Sequence, residues 1–248
     1  MAADMAHLSA AKTVPAMVTP SGGLLTDSIA MAETLHEENP TAGLYPTDPA
    51  ARAMARSLVA EMHGSFGALR GDCPHNMEHT LVGFELSEAV QKDVARISLL
   101  WERAREQFGA DGPWLFGAYS LADAFYAPIA NRFTTYGIPL GDVAQAYVDA
   151  HINDTSNRQW RAMGQTVTYD PFPYDFGLEI KPWPIDFIPT KAVDAGPSEN
   201  DWCPYSGDPV THFMQINNRV FGFCNAFCRD KTVADPEAWP KFMALLNG

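Results

Sequence analysis

Cysteine is scarce: four occur in 248 residues, three of them in the last fifth of the chain. So few thiols cannot staple a disulfide scaffold, and the chain is expected to fold on its core in a reducing compartment. Basic residues are also short, seventeen Lys and Arg against thirty Asp and Glu, for a formal net charge of −13 that no Lys/Arg cluster offsets locally. A surface of that sign repels phosphate backbones, so nucleic acid is not an expected partner. No apolar run approaches the ~20 residues that span a bilayer, and the first twenty residues lack the apolar centre of a secretory signal. A composition that is 46% hydrophobic, with no low-complexity tract, suits one or two compact domains. The expectation is a soluble cytoplasmic protein.

Periodicity and punctuation divide the chain. Thr13-Val14-Pro15-Ala16-Met17 reads as a short strand whose proline suits an edge or a cis bond. Ser21-Gly22-Gly23 is a turn, Leu24-Leu25 a second extended piece, and a helix capped by Thr26 or Asp27 runs to Asn39-Pro40. After a linker at 41–46, a long helix starts at Thr47 or Asp48 with Pro49 in its first turn, its inner face carrying Ala53, Leu58, Met62, Phe66 and Leu69. A second long helix fits Glu85 to Phe108, closed by Gly109. Ser120 and Asp123 form a capping box, Ser120 facing the N–H three residues on and Asp123 reaching back to the N–H of Ser120. Two more helices fit 141–152 and 154–165. Prolines from 171 to 197 then interrupt regular structure. The end reads as strands at 210–216 and 219–223 around an Asn217-Asn218 turn, followed by helices from Ala226 and near 235–246.

The pieces Thr13-Val14-Pro15, Leu25-Thr26-Asp27-Ser28-Ile29-Ala30, Asp48-Pro49-x-x-Arg52-Ala53 and Trp114-Leu115-Phe116-Gly117-x-Tyr119-Ser120-x-Ala122-Asp123 stand in an order that resembles the glutathione S-transferase family from its third strand onward. The resemblance covers roughly residues 10–165. It implies a mainly α fold: a partial thioredoxin-like hairpin and helix over 1–40, a glutathione-transferase-type helical bundle over 41–168, and a Pro-rich linker over 169–200. It also implies that Val14 offers its backbone to glutathione beside a cis Pro15, that Ser28 binds the γ-glutamyl carboxylate, and that Asp27 helps hold the amine. A carboxylate is favoured there on general grounds, because a helix N-terminus presents free N–H groups and the positive end of the dipole. The bland reading of Asp27-Ser28 is a helix cap. The implied activity is conjugation or isomerisation of a small electrophile by a homodimer.

Such chemistry needs the glutathione thiol ionised, and a reference pKa of ~8.5 leaves little thiolate at neutral pH. In the family a Tyr, Ser or Cys on the first strand–helix turn supplies the stabilising hydrogen bond. Only Ser9 offers a hydroxyl upstream of Thr13. Two expectations stay open: a longer physiological chain that carries the catalytic turn, or a non-catalytic binding or scaffold protein. The acceptor-substrate wall is expected on the first long helix, at Met62, His63, Phe66 and Arg70. His63 and Arg70, two turns apart, either face a bound anion together or serve the surface and a bundle carboxylate. Cys73, before a proline, reads as an inert thiol.

Cys203-Pro204-Tyr205-Ser206-Gly207, Gly222-Phe223-Cys224-x-x-x-Cys228 and Asp235-Pro236-Glu237-x-Trp239 make a second series, resembling the small YHS-type metal-associated domain over 201–248. It implies a small α+β cysteine module. Cys203, Cys224 and Cys228 offer three thiolates for zinc or copper(I). Ser206 stands where a fourth sulphur would be, leaving His212, Asp201 or water to complete a tetrahedron. The alternative is a metal-free minidomain in which three small thiols pack.

Overall fold

The computed structural model describes Met5, Leu8, Ala11, Lys12, residues 14–169 and residues 174–248. Thr13, Pro171 and Pro173 lie outside the described residues. The chain divides into two compact units, neither continuous in sequence. One takes the described residues of Met1–Asp72 with Ser87–Pro128 and Gly141–Tyr147, and the other takes Cys73–Leu86, Ile129–Leu140 and the described residues of Val148–Gly248.

In the first unit the Val14–Pro15 peptide is cis and leads into strand β1 (Met17–Val18), which pairs antiparallel with β2 (Leu24–Leu25). Gly22 turns the hairpin at φ 87°, a conformation open to a residue without Cβ. Helix α1 (Ser28–Glu38) starts where Asp27 Oδ1 accepts from the N–H groups of Ile29 (2.8 Å) and Ala30 (3.3 Å). Asp48 caps α2 (Pro49–Gly64) in the same way, accepting from Ala51 N at 2.8 Å. Glu33 on α1 ties the two helices, taking the Tyr45 hydroxyl at 2.8 Å and the Arg56 guanidinium at 2.9 Å.

The inner stripe of α2 is Ala51, Ala55, Leu58, Val59 and Met62; Ala53 is exposed, contrary to expectation. The helix also ends early. Ser65 is extended and Phe66 sits at φ 59°, so the chain turns before a separate short helix α3 (Gly67–Asp72), and Phe66 and Leu69 reach the core from a new direction. The expected second long helix is α4 (Glu88–Phe108), capped by Ser87 and buried along Val90, Val94, Ile97, Trp101 and Ala104.

Between α3 and α4 lies β3 (His79–Val82) of the second unit. Helix α5 (Leu121–Thr135) and helix α6 (Asp142–Asn153) contribute residues to both units. In the second unit Arg132 Nε donates to the Cys73 carbonyl at 2.8 Å and the Tyr136 hydroxyl to the Pro74 carbonyl at 2.9 Å, with Cys73 itself buried. Helix α7 (Thr155–Gly164) is tied to the same segment by Arg161, whose Nε donates to the Met77 carbonyl at 2.7 Å.

The proline-rich stretch is more regular than expected. It holds β4 (Glu179–Pro182), paired antiparallel with β3, and β5 (Thr190–Val193), the edge of a three-stranded antiparallel sheet with β6 (His212–Ile216) and β7 (Arg219–Phe223). Pro182 closes β4, and Pro189 and Pro197 flank β5. Asn217 and Asn218 turn the β6–β7 hairpin at φ 49° and 63°, the paired left-handed geometry that short hairpins need. Helix α8 (Ala226–Ala234), a 3-10 turn at Pro236–Ala238 and helix α9 (Pro240–Asn247) complete the tail, with a core of Met214, Ile216, Phe221, Phe223, Trp239 and Phe242.

Candidate functional site

Two side-chain clusters carry chemistry. The first stands at the start of α1. Asp27 spends Oδ1 on the helix cap and turns Oδ2 to His63 Nε2 at 3.0 Å, while the Ser28 hydroxyl lies 3.3 Å from His63 Nδ1. The Ile29 N–H, then the Ala30 N–H and His63, outweigh partial desolvation and hold the Asp27 carboxyl below its usual range. His63 reaches the pair from the last turn of α2, the helix that Glu33 clamps to α1. The cluster is half-exposed, with the Asp27 and His63 side chains at 51% and 39%.

The other residues expected at a site are dispersed. Val14 is exposed just before the hairpin. Met62 and Phe66 are buried in the core. Arg70 is exposed on α3 and donates to the His63 carbonyl at 3.1 Å, so its guanidinium is tied to backbone. His63 and Arg70 are therefore linked through a main-chain oxygen, and His63 turns its ring toward Asp27 and Ser28. Sequence spacing alone did not show that partnership, since it crosses 35 residues.

The second cluster is in the tail. Cys203 Sγ, Cys224 Sγ and Cys228 Sγ all lie within 4.8 Å of one another, and those of Cys224 and Cys228 are 3.9 Å apart. Local folding explains the meeting. A tight turn bonds Gly207 N to the Cys203 carbonyl at 2.9 Å, the β6–β7 hairpin returns the chain to Cys224, and Asn225 caps α8 by accepting from Cys228 N at 2.8 Å. Ser206 donates its hydroxyl to Cys224 Sγ at 3.3 Å, so the position of the missing fourth sulphur does border the cluster.

Neither His212 nor Asp201 belongs to this group among the described residues; the His212 ring instead meets the Thr211 hydroxyl at 2.9 Å. Both are corrected as candidate fourth ligands. The thiols differ in acidity. Burial opposes ionisation of Cys203, but the N–H groups of Ser206, Cys224 and Tyr205 and the Cys224 thiol overcome it and bring Cys203 down to about 7. Burial, reinforced by its two cysteine neighbours, pushes Cys228 up to about 12. Tyr205, Lys231 and Trp239 also adjoin the cluster and were not anticipated as site residues; the spacing of Lys231 one helical turn after Cys228 was the available signal.

No family model and no curated protein matches the chain. Solved structures do. One is a glutathione transferase homologue from Burkholderia, with bound glutathione, 25% identical over 62% of this chain and 74% of that one, at TM-score 0.46. Another is a glutathione S-transferase from Rhodospirillum rubrum, 21% identical over 71% and 80%, at TM-score 0.48. A third is a maleyl pyruvate isomerase described as a bacterial zeta-class glutathione S-transferase, 24% identical over 64% and 77%, at TM-score 0.41. These neighbours are glutathione transferases.

Proposed function

We propose that the chain is a glutathione-transferase-like protein that receives the γ-glutamyl end of glutathione at the start of α1. The observation carrying this reading is the placement of Ser28 and Asp27 at that helix N-terminus, after a short hairpin and in the order the family resemblance implies. The Ser28 hydroxyl and the Ser28 N–H, which the Asp27 cap leaves unused, are donors for a carboxylate, and the dipole adds to their attraction. Asp27 Oδ2, now paired with His63, is an acceptor for the ammonium. Val14 would offer backbone to the cysteinyl unit. The remaining steps proposed are transfer or isomerisation of a small electrophile, in a cytoplasmic homodimer.

Calorimetry with glutathione tests the reading. Ser28→Ala is expected to weaken binding by about 1–3 kcal/mol, the range for one charge-assisted hydrogen bond, and unchanged affinity would place the site elsewhere.

The three-sulphur cluster supports a second, non-exclusive reading, that the tail is a YHS-like metal-associated module. The donor set fits a soft or borderline ion: three thiols, mutually close, two of them buried and none in a disulfide. Cys203, Cys224 and Cys228 would hold it as thiolates, and the ion would crosslink the Cys203 turn to the start of α8. Uptake of one cadmium ion per chain by protein purified without chelator tests this, and no uptake would overturn it.

A further inference from the structure

Lys231 is an unusual neighbour for the three thiols. It is 8% exposed, on α8, one turn beyond Cys228. Its ammonium lies 3.9 Å from the ring centre of Trp239, 4.0 Å from that of Tyr205 and 5.4 Å from that of Phe227. The cage is itself fastened: Trp239 Nε1 donates to the Lys231 carbonyl at 3.0 Å, and the Tyr205 and Thr232 hydroxyls are 2.6 Å apart. Among the described residues no carboxylate pairs with Lys231. The cage sets it beside the cysteine cluster: Tyr205 belongs to the turn that carries Cys203, and Cys228 lies one turn earlier on its own helix.

A buried ammonium is costly without an anion, and ring faces offset that cost in part. Sulphurs that hold a metal as thiolates would supply the anion. From this arrangement we propose that Lys231 is the built-in counter-charge of the Cys203–Cys224–Cys228 cluster and matches it to a divalent ion. Three thiolates, one ammonium and a divalent cation sum to zero, whereas copper(I) leaves the buried assembly one negative charge in excess. On binding, the thiol protons leave to solvent and the sulphurs take the cation in their place. Lys231 touches no ion in this scheme; it is a positioning residue acting through the sulphurs, as outer partners of metal ligands do.

The inference rests on the metal reading of the tail, and one experiment separates their failures. Cadmium is titrated into the whole protein against a competing chelator, followed by thiolate-to-cadmium absorption, for wild type, Lys231→Met and Lys231→Arg. The expected result is one ion in wild type, affinity lower by about tenfold or more in Lys231→Met, and recovery to near wild type in Lys231→Arg. Lys231→Gln replaces Lys231→Met if the apolar variant fails to fold, since it keeps a polar tip without the charge. Equal cadmium affinity in wild type and the neutral variant, or no recovery with arginine, overturns the role of Lys231 and leaves the metal reading standing. No uptake by wild type overturns both.

Discussion

Asp123 shows how one buried side chain organises a helix start. Its Oδ2 accepts from Ser120 N at 2.8 Å and the Ser120 hydroxyl at 3.0 Å, and its Oδ1 from Leu115 N at 3.0 Å and the Tyr147 hydroxyl at 2.9 Å. Burial, set against those donors, raises its pKa. Half of the capping box read from Ser120-x-x-Asp123 is present. The other half is not, because the Ser120 hydroxyl points at Asp123 and not at a backbone N–H. The bonds to Leu115 and Tyr147 were illegible because they depend on how the chain closes. Asp123→Ala removes the acceptor of four core hydrogen bonds and is expected to cost about 4 kcal/mol or more, at 1–3 kcal/mol for each donor that water cannot reach. Urea unfolding checks it; a loss below about 1 kcal/mol would show that the bonds carry little. His63 teaches the same lesson at the α1 cluster, where its tie to Asp27 and Ser28 had no local signature.

Elements with strong caps and a long apolar period were legible: α4, α7 and the β6–β7 hairpin fall where residues 85–108, 154–165 and 210–223 placed them. Elements defined by distant pairing were not. Strand β4 needs β3, nearly a hundred residues away, and β5 needs β6. The break at Phe66 was also missed, because a left-handed bulky residue has no propensity signal. The α7–α8 packing is another long-range feature. Arg158 holds Asp235 with two bonds of 2.7 Å, and the Asp235 side chain is fully buried. The salt bridge strengthens Arg158's hold on its proton, its carboxylate bonds outweighing desolvation. Arg158→Ala leaves that carboxylate without its ion partner, so it is expected to destabilise by about 3–5 kcal/mol. Arg158→Ala with Asp235→Asn should cost less than the single change. A double variant as unstable as the sum of both singles would contradict this coupling.

Stability of the second unit carries a pH signature. His75 is lowered to about 4, by burial and then by Arg132, and burial lowers His151 to about 3. In the unfolded chain both titrate near 6.5. Below that pH the unfolded state binds protons that the folded state refuses. Their stabilising contribution is therefore complete above about pH 6.5 and is lost as pH falls toward the folded values, at roughly 1.4 kcal/mol per pH unit for each ring. Unfolding free energy should drop by on the order of 3 kcal/mol between pH 7 and pH 5, and a flat profile in denaturant titrations would contradict the burial of these rings.

The net charge of −13 puts a premium on local positive potential for any anionic ligand. On the proposed reading the α1 N-terminus would provide it with backbone dipoles rather than a lysine patch, which is why composition gave no hint of it. The most direct measurement is to titrate glutathione into isotope-labelled protein and follow the backbone amides of Ser28 and Ile29 and the His63 ring by NMR. The account predicts saturable shifts at all three, abolished in Ser28→Ala. Saturable shifts confined to other residues, or none at these three at millimolar glutathione, would contradict it.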